Sequence, residues 1–538
     1  MNHSCPLAQR ALQHPHELAI QKGDHQLTWL QLHELTDQVI SDLFGSKDPL
    51  ITPDLFGSSD QKIQNDPRIF SDQKIQNDPE QAHWIAVHQC DPIITIVLLC
   101  AAFRSNRGIF FSSDRDPIER SDDIIAQLPV YRLFRGIGSF KDLFGSKDPL
   151  STPDHFGSSD QKIHTDPRIF SDQKIQNDPP SKRSEKIRKD PYKIQKDQPT
   201  FLLQTSGSTT HPKLVVHSLN TLLASAEASK HNIPFQIGDR WLLSLALWHI
   251  GGLAIFFRAL CGGATVIVPD SAHTLAENIH RHHITHLSVV ALQLQRILDS
   301  QIDVSSLKHV LVGGGPIPEV LIQSARHANI PVYTTYGMTE LGSQLCTTGP
   351  NASLKELTTA GRPLKGWSIK IDETGEICAQ GTPLFLGYLT PNGLHNVRDS
   401  QGWFHTGDLG TLHEDGSLKV LGRKDAQFIS GGENIYPEEI EKVLSDFPTI
   451  KLAIVVPIPN MTYGQRPLAF ILGEFSPSEL HTHLLKYLPS FKHPDIFLPW
   501  PPQIAPHKPS RSALRLLALA YNQPKPQSPS KSAKPPTQ

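Results

Sequence analysis

Cysteine is scarce: the 538 residues hold only six, scattered as Cys5, Cys90, Cys100, Cys261, Cys346 and Cys378, with no C-x-x-C pair. That spacing excludes a disulfide framework and makes a reducing, cytoplasmic setting the expectation. An excess of one charge is missing too. Fifty-one Lys and Arg against 53 Asp and Glu give a formal net charge of -2, so no global field favours nucleic acid or an anionic membrane. Long hydrophobic runs are absent. The longest, Pro92 to Phe103, falls well short of the ~20 residues a bilayer requires and reads as a buried helix. Met1 to Arg10 shows no basic segment followed by an apolar run, so no secretory signal is expected.

What is present begins with length, which suits two or three domains of a large enzyme. A duplication stands out. Asp42 to Glu80 recurs as Asp142 to Pro180, differing only at Ile51/Ser151, Leu55/His155, Gln64/His164, Asn65/Thr165 and Glu80/Pro180. Within each copy DQKIQNDP or a close variant occurs twice, at a period of about 12 residues that matches no solenoid. Rich in Asp, Ser, Gln, Lys and Pro, with isolated Phe and Ile at no steady period, these stretches bury too little to offset their ordering entropy. They are expected to be flexible insertions, 42–80 and 142–198, the second ending in the basic linker Ser181 to Gln198. The remainder is an enzyme-like core of about 440 residues, followed by a Pro, Lys and Ser-rich tail, 522–538, expected to be disordered.

Chemistry enters after the second insertion. The short apolar run Phe201 to Gln204 leads into Thr205-Ser-Gly-Ser-Thr-Thr-His-Pro-Lys213, and Leu214 to Val216 resumes a strand. A turn of small hydroxyl residues around Gly207 can aim backbone N–H and side-chain O–H groups at phosphate oxygens, with Lys213 adding charge. The spacing is not that of a Walker loop. Further on, Gly313-Gly314-Gly315-Pro316 follows the apolar run Val310 to Val312, a strand-to-turn pattern in which absent side chains let a flat ring approach the backbone.

The first stretch resembles the TSGSTGxPK signature of the adenylate-forming superfamily of acyl-CoA synthetases, adenylation domains and luciferases. Tyr336-Gly-Met-Thr-Glu340 resembles that family's YGxTE, Thr406-Gly-Asp408 its TGD, and Gly422-Arg-Lys-Asp425 its GRxD, all in the family's order. The resemblance implies an α/β fold with a large N-terminal domain, 1–421, of layered α/β subdomains and a β-rich subdomain around Asp372 to Leu421. A small mobile α+β C-terminal domain, 422–521, would follow. It also implies roles. Thr205, Ser206, Gly207, Ser208, Thr209 and Lys213 would hold the ATP phosphates, Thr339 would touch phosphoryl oxygens, and Glu340 would bind Mg²⁺. Gly313, Gly314, Gly315 and Tyr336 would sandwich adenine, while Asp408, with Arg423 nearby, would bind ribose. Asp425 would be the hinge. Pro506-His-Lys508-Pro-Ser-Arg511 keeps the lysine-to-arginine spacing of the family's GKxxR but has His507 in place of glycine, and Lys508 would be the adenylation lysine. Thr210 stands where the family commonly has glycine.

Leu245 to Arg258, with His249 and an arginine nine positions later, looks like the corresponding region of the 2-succinylbenzoate:CoA ligases of menaquinone synthesis, as do Thr462 to Pro467 and Lys508 to Leu514. Such a substrate has two carboxylates, only one of which reacts. Arg258 could clamp the other in a bidentate pair, with His249 lining the acyl pocket. ATP and CoA would be co-substrates. The competing expectations are another aryl or fatty acid:CoA ligase, an amino-acid-adenylating enzyme, or an inactive nucleotide-binding remnant.

Overall fold

The computed structural model describes residues 5–44, 84–88, 90–112, 130–135, 194–205, 213–506 and 510–521. The body of both repeat copies, Ser206 to Pro212 of the phosphate loop, Lys508 and the tail from residue 522 lie outside the described residues. Two insertion limits shift. Residues 42–44 complete the helix Trp29–Phe44, and the chain has rejoined the core by Ile194, which is buried, while the Lys196 carbonyl accepts from the Asn220 N–H.

The chain divides into two compact units. One comprises residues 1–315, 322–406 and 412–419; the other comprises 316–321, 407–411 and 420–538. The division thus falls at Lys419/Val420 rather than after Leu421, and two short segments from earlier in the chain join the second unit.

A nine-stranded and a seven-stranded sheet dominate the first unit. Thr265–Val268, His286–Val289 and His309–Val312 run parallel in the larger sheet and are almost wholly buried. Their near-continuous apolar character is what a parallel strand covered on both faces requires. Pro92–Arg104 is a helix with apolar residues all round, buried along its length, started by Pro92 and by the Asp91 carboxylate accepting from the Ile93 N–H at 2.8 Å. Leu219–Asn232 begins with a reciprocal box between Ser218 and Thr221. Ile250–Gly262 ends where Gly263 turns left-handed at φ +81°. Its Phe257 packs edge-on against Phe201 of the central strand Pro199–Thr205, ring centroids 5.4 Å apart.

The stretch from Asp372 to Leu421 does not make one β-rich subdomain. Glu376–Gly381 and Phe404–Leu412 lie in a four-stranded sheet between Trp367–Ile371 and Leu418–Arg423, whereas Gly387–Thr390 leaves it to extend the seven-stranded sheet. That excursion pairs Tyr388 with Val215, directly beside the strand that carries Lys213.

In the second unit, Ile450–Asn460, Gly464–Gly473 and Ile496–Pro499 form a three-stranded sheet. Helix Pro437–Ser445 sets Ile440 and Leu444 into a core with Val455, Ala469 and Leu480. Before that helix lies a hairpin, Phe428–Ser430 with Glu433–Ile435, turned by Gly431 and Gly432 at φ +61° and +89°.

Candidate active site

Strand pairing sets the position of Lys213. Thr205 ends Pro199–Thr205 and lies opposite Lys213, which starts Lys213–Ser218. The hydroxyl of Thr205 donates to the Lys213 carbonyl at 3.4 Å. Ser206, Gly207, Ser208, Thr209 and Thr210, the loop between them, lie outside the described residues.

The Lys213 ammonium sits 5.1 Å from the ring centroid of Tyr388, and the Tyr388 hydroxyl donates to Glu340 Oε1 at 2.8 Å. A cation, an aromatic face and a carboxylate therefore form one line drawn from three segments distant in sequence. Glu340 is 5% exposed, and its Oε1 is held by the tyrosine hydroxyl.

The turn that carries Glu340 is held from below by a histidine. His217 Nε2 donates to the Thr339 carbonyl at 2.7 Å, so Nε2 bears the proton and Nδ1 accepts from the Thr221 hydroxyl at 2.9 Å. Full burial holds this imidazole down to about 4, neutral under ordinary conditions. Ser225 adds a bond to the Gly342 carbonyl at 2.6 Å. Gly337 is obligatory here, because a Cβ would come within 1.5 Å of the Ser343 carbonyl oxygen.

Gly313, Gly314 and Tyr336 sit at the carboxyl ends of adjacent parallel strands, His309–Val312 and Val332–Tyr336. That edge is where open α/β sheets take ligands. Gly314 has φ +80°, a Cβ on Gly313 would collide with Thr335 at 2.7 Å, and Gly315 has open space around it. In the second unit, Arg423 Nη1 donates to Asp408 Oδ1 at 3.1 Å and Arg423 Nε to Asp425 Oδ1 at 3.1 Å. These two carboxylates raise the Arg423 pKa against the opposing effect of burial.

The candidate acyl segment behaves differently from a surface helix. His249 caps Ile250–Gly262, half-buried with its ring beside Trp248. Arg258 on that helix is 1% exposed. Its guanidinium lies 5.3 Å from the Trp241 ring centroid, and Nη2 donates to Gln344 Oε1 at 2.8 Å and to Ser343 Oγ at 3.3 Å. Its Nε has no hydrogen-bond partner, and no carboxylate pairs with it among the described residues. Burial pushes its pKa down to about 9.

Sequence reasoning missed Tyr388, His217 and Gln344. Tyr388 lies in a Gly-Tyr-Leu-Thr stretch with no local signal of its partner. His217 lies in the strand Lys213–Ser218 after the apolar run Leu214 to Val216, where a histidine reads as ordinary core. Gln344 falls four residues after Glu340 and could have been found by continuing the YGMTE segment.

The structure joins a lysine and a carboxylate across a tyrosine. With a glycine turn and tyrosine at the strand ends, they define the class of adenylate-forming enzymes. The family described as AMP-binding enzyme matches residues 150–389. The 2-succinylbenzoate–CoA ligase of Bacillus licheniformis is 37% identical over 320 residues, 56% of this chain and 66% of that relative. Its counterpart in Bacillus cytotoxicus is 35% identical over 337 residues, 59% of this chain and 69% of the relative. Among solved structures, the o-succinylbenzoate CoA synthetase of Bacillus subtilis in complex with the acyl-adenylate intermediate OSB-AMP matches with a TM-score of 0.72 at 25% identity, over 95% of this chain and 97% of that one. This chain belongs to the 2-succinylbenzoate–CoA ligase family.

Proposed function

We propose that the chain is an acid–thiol ligase that joins 2-succinylbenzoate to CoA in menaquinone synthesis. One carboxylate of the acid attacks the α-phosphorus of ATP, forming the acyl-AMP and releasing pyrophosphate; the CoA thiol then displaces AMP and leaves the thioester. Bringing two anions together requires preorganised positive charge and hydrogen-bond donors. Lys213 with Thr205, Ser206, Gly207, Ser208 and Thr209 meets the departing phosphates, and Thr339 meets the phosphoryl oxygens. Gly313, Gly314, Gly315 and Tyr336 hold adenine. Asp408 binds the ribose hydroxyls with Arg423 steadying its carboxylate, Asp425 acts as the hinge, and Lys508 serves the adenylation step.

Glu340 fits a magnesium ion. It is a hard oxygen donor whose Oε1 is engaged by Tyr388, leaving Oε2 for a cation shared with phosphates. When bound, magnesium neutralises phosphate charge. A solved relative described as o-succinylbenzoate coenzyme A synthetase in complex with ATP and magnesium ion shares the fold, with a TM-score of 0.69.

The observation that carries the choice of acid is Arg258. A guanidinium buried to 1% exposure with no carboxylate among the described residues is costly to keep. The non-reacting carboxylate of a dicarboxylic acid supplies the missing counter-charge, with His249 at the head of the same helix lining the acyl site. Six cysteines, none in a disulfide, support a reducing, cytoplasmic location, and no helix is long and apolar enough to cross a membrane among the described residues.

ATP–pyrophosphate exchange with a panel of acids tests this reading. Exchange should depend on 2-succinylbenzoate, and thioester should form only when CoA is added. Equal exchange with benzoate, or with a fatty acid, would overturn the assignment of the acid; no exchange with any acid would overturn the ligase reading.

A further inference from the structure

A second group of ligand-type side chains, none of them assigned to catalysis, lies in the four-stranded sheet. Asp372 follows the strand Trp367–Ile371, Cys378 lies in the middle strand Glu376–Gly381, and His405 lies in Phe404–Leu412 on its other side. One donor atom from each falls within 4.8 Å of the other two. The Cys378 Sγ is 3.4 Å from His405 Nδ1, and His405 Nδ1 is 3.5 Å from Asp372 Oδ2.

Those separations match the edges of a tetrahedral zinc site. Zinc bonds of ~2.3 Å to sulfur and ~2.0 Å to nitrogen or oxygen place sulfur and nitrogen ~3.6 Å apart, and nitrogen and oxygen ~3.3 Å apart. We propose that Cys378, His405 and Asp372 bind a zinc ion that ties three neighbouring strands of this sheet together, at a site separate from the magnesium carboxylate Glu340.

Two of the ligands are already oriented for that task. Asp372 Oδ1 accepts from the Thr374 N–H at 2.8 Å, the Thr374 hydroxyl at 2.7 Å and the Glu376 N–H at 2.9 Å, which turns Oδ2 toward the histidine. On the far edge of the ring, His405 Nε2 lies 3.5 Å from Asp399 Oδ2. Asp399 is itself fixed by the Gln401 and Trp403 N–H groups at 2.9 and 2.8 Å. A carboxylate on one imidazole nitrogen with the other nitrogen aimed at soft and hard donors is the outer-shell arrangement of metal-binding histidines. Glu376 borders the set, its Oε2 3.9 Å from His405 Nδ1 and its side chain 9% exposed, which leaves the fourth position of a tetrahedral ion to solvent. A thiolate beside imidazole selects zinc over magnesium or calcium, which take oxygen donors. Binding displaces the Cys378 thiol proton to solvent and involves no change of oxidation state.

The test uses the full chain, freed of metal by a chelator and then exposed to zinc or cobalt(II) alone in excess magnesium. One zinc should bind per chain, and cobalt should give a near-ultraviolet thiolate-to-metal charge-transfer band. Cys378→Ser should abolish that band. His405→Gln, a change at a half-exposed position, should weaken zinc binding at least tenfold, and Asp399→Asn by roughly 10-fold to 100-fold. Melting of each metal-free variant alongside metal-free wild type establishes that it is folded. No band in the wild type, or a band of full intensity in folded Cys378→Ser, would overturn the site.

Discussion

Arg258 Nη2 donates to Gln344 Oε1 at 2.8 Å, joining the helix Ile250–Gly262 to the segment that follows Glu340. Gln344 is 3% exposed and spends its remaining capacity on its surroundings: Oε1 also accepts from the Ser229 hydroxyl at 2.8 Å, and Nε2 donates to Thr347 Oγ1 at 2.8 Å. A neutral amide thus positions a buried cation without neutralising it. Under the proposed function, that leaves the charge for the substrate.

Arg258→Ala should raise KM for 2-succinylbenzoate at least tenfold while KM for ATP stays put, since loss of a charge-assisted pair costs roughly 1.5–3 kcal/mol. Arg258→Lys should recover only part of it, because an ammonium lacks the planar fork. Steady-state kinetics with each substrate varied in turn decide the matter; an unaltered acid KM would exclude the clamp.

Gln344→Ala would strand both a guanidinium and the Ser229 hydroxyl in a dry interior. The expected cost is about 2 kcal/mol in folding stability, read as a lower urea midpoint with unchanged slope. A midpoint equal to that of the wild type would show that these bonds contribute nothing net.

Tyr388→Phe keeps the ring beneath Lys213 and removes only the hydroxyl that donates to Glu340. Pyrophosphate exchange should slow roughly tenfold and require more magnesium for half-maximal rate, corresponding to about 1.4 kcal/mol from one bond to a charged acceptor. If the magnesium dependence does not move, Tyr388 supports the fold and not the metal site.

His217 gives a pH signature. Its folded pKa, near 4, lies below the ordinary value of 6.5 because burial disfavours the charged ring. The unfolded chain therefore binds the proton more readily. The stability this histidine contributes is complete above pH 6.5 and is lost as pH falls toward 4, by up to about 3 kcal/mol. The stability difference between wild type and His217→Gln should shrink across that window. A constant difference from pH 8 to pH 4 would contradict the burial of a neutral imidazole.

Much of the α/β architecture was legible because its signals are local. The run from Pro92 to Phe103 reads as a buried helix, and the short apolar runs ahead of Gly313 and Thr205 read as strands leading into turns, as the structure has them. Boundaries were less legible where one strand serves a distant partner. Gly387–Thr390 reads as part of a β-rich subdomain, yet its register with Lys213–Ser218 puts it in another sheet. Ile194, at the end of a polar stretch, gave no sign that it returns to the core.

The order of the motifs alone pointed to the family, because signatures built from small residues and backbone groups at fixed short spacing are written in contiguous sequence. Only the tertiary structure decided which side chains act on one another. Tyr388 reaches Glu340 across 48 positions and Arg258 reaches Gln344 across 86, while Asp372, Cys378 and His405 converge from three strands. Such partnerships arise from strand register and helix packing, whose constraints join residues far apart in the chain and leave no periodicity in either neighbourhood.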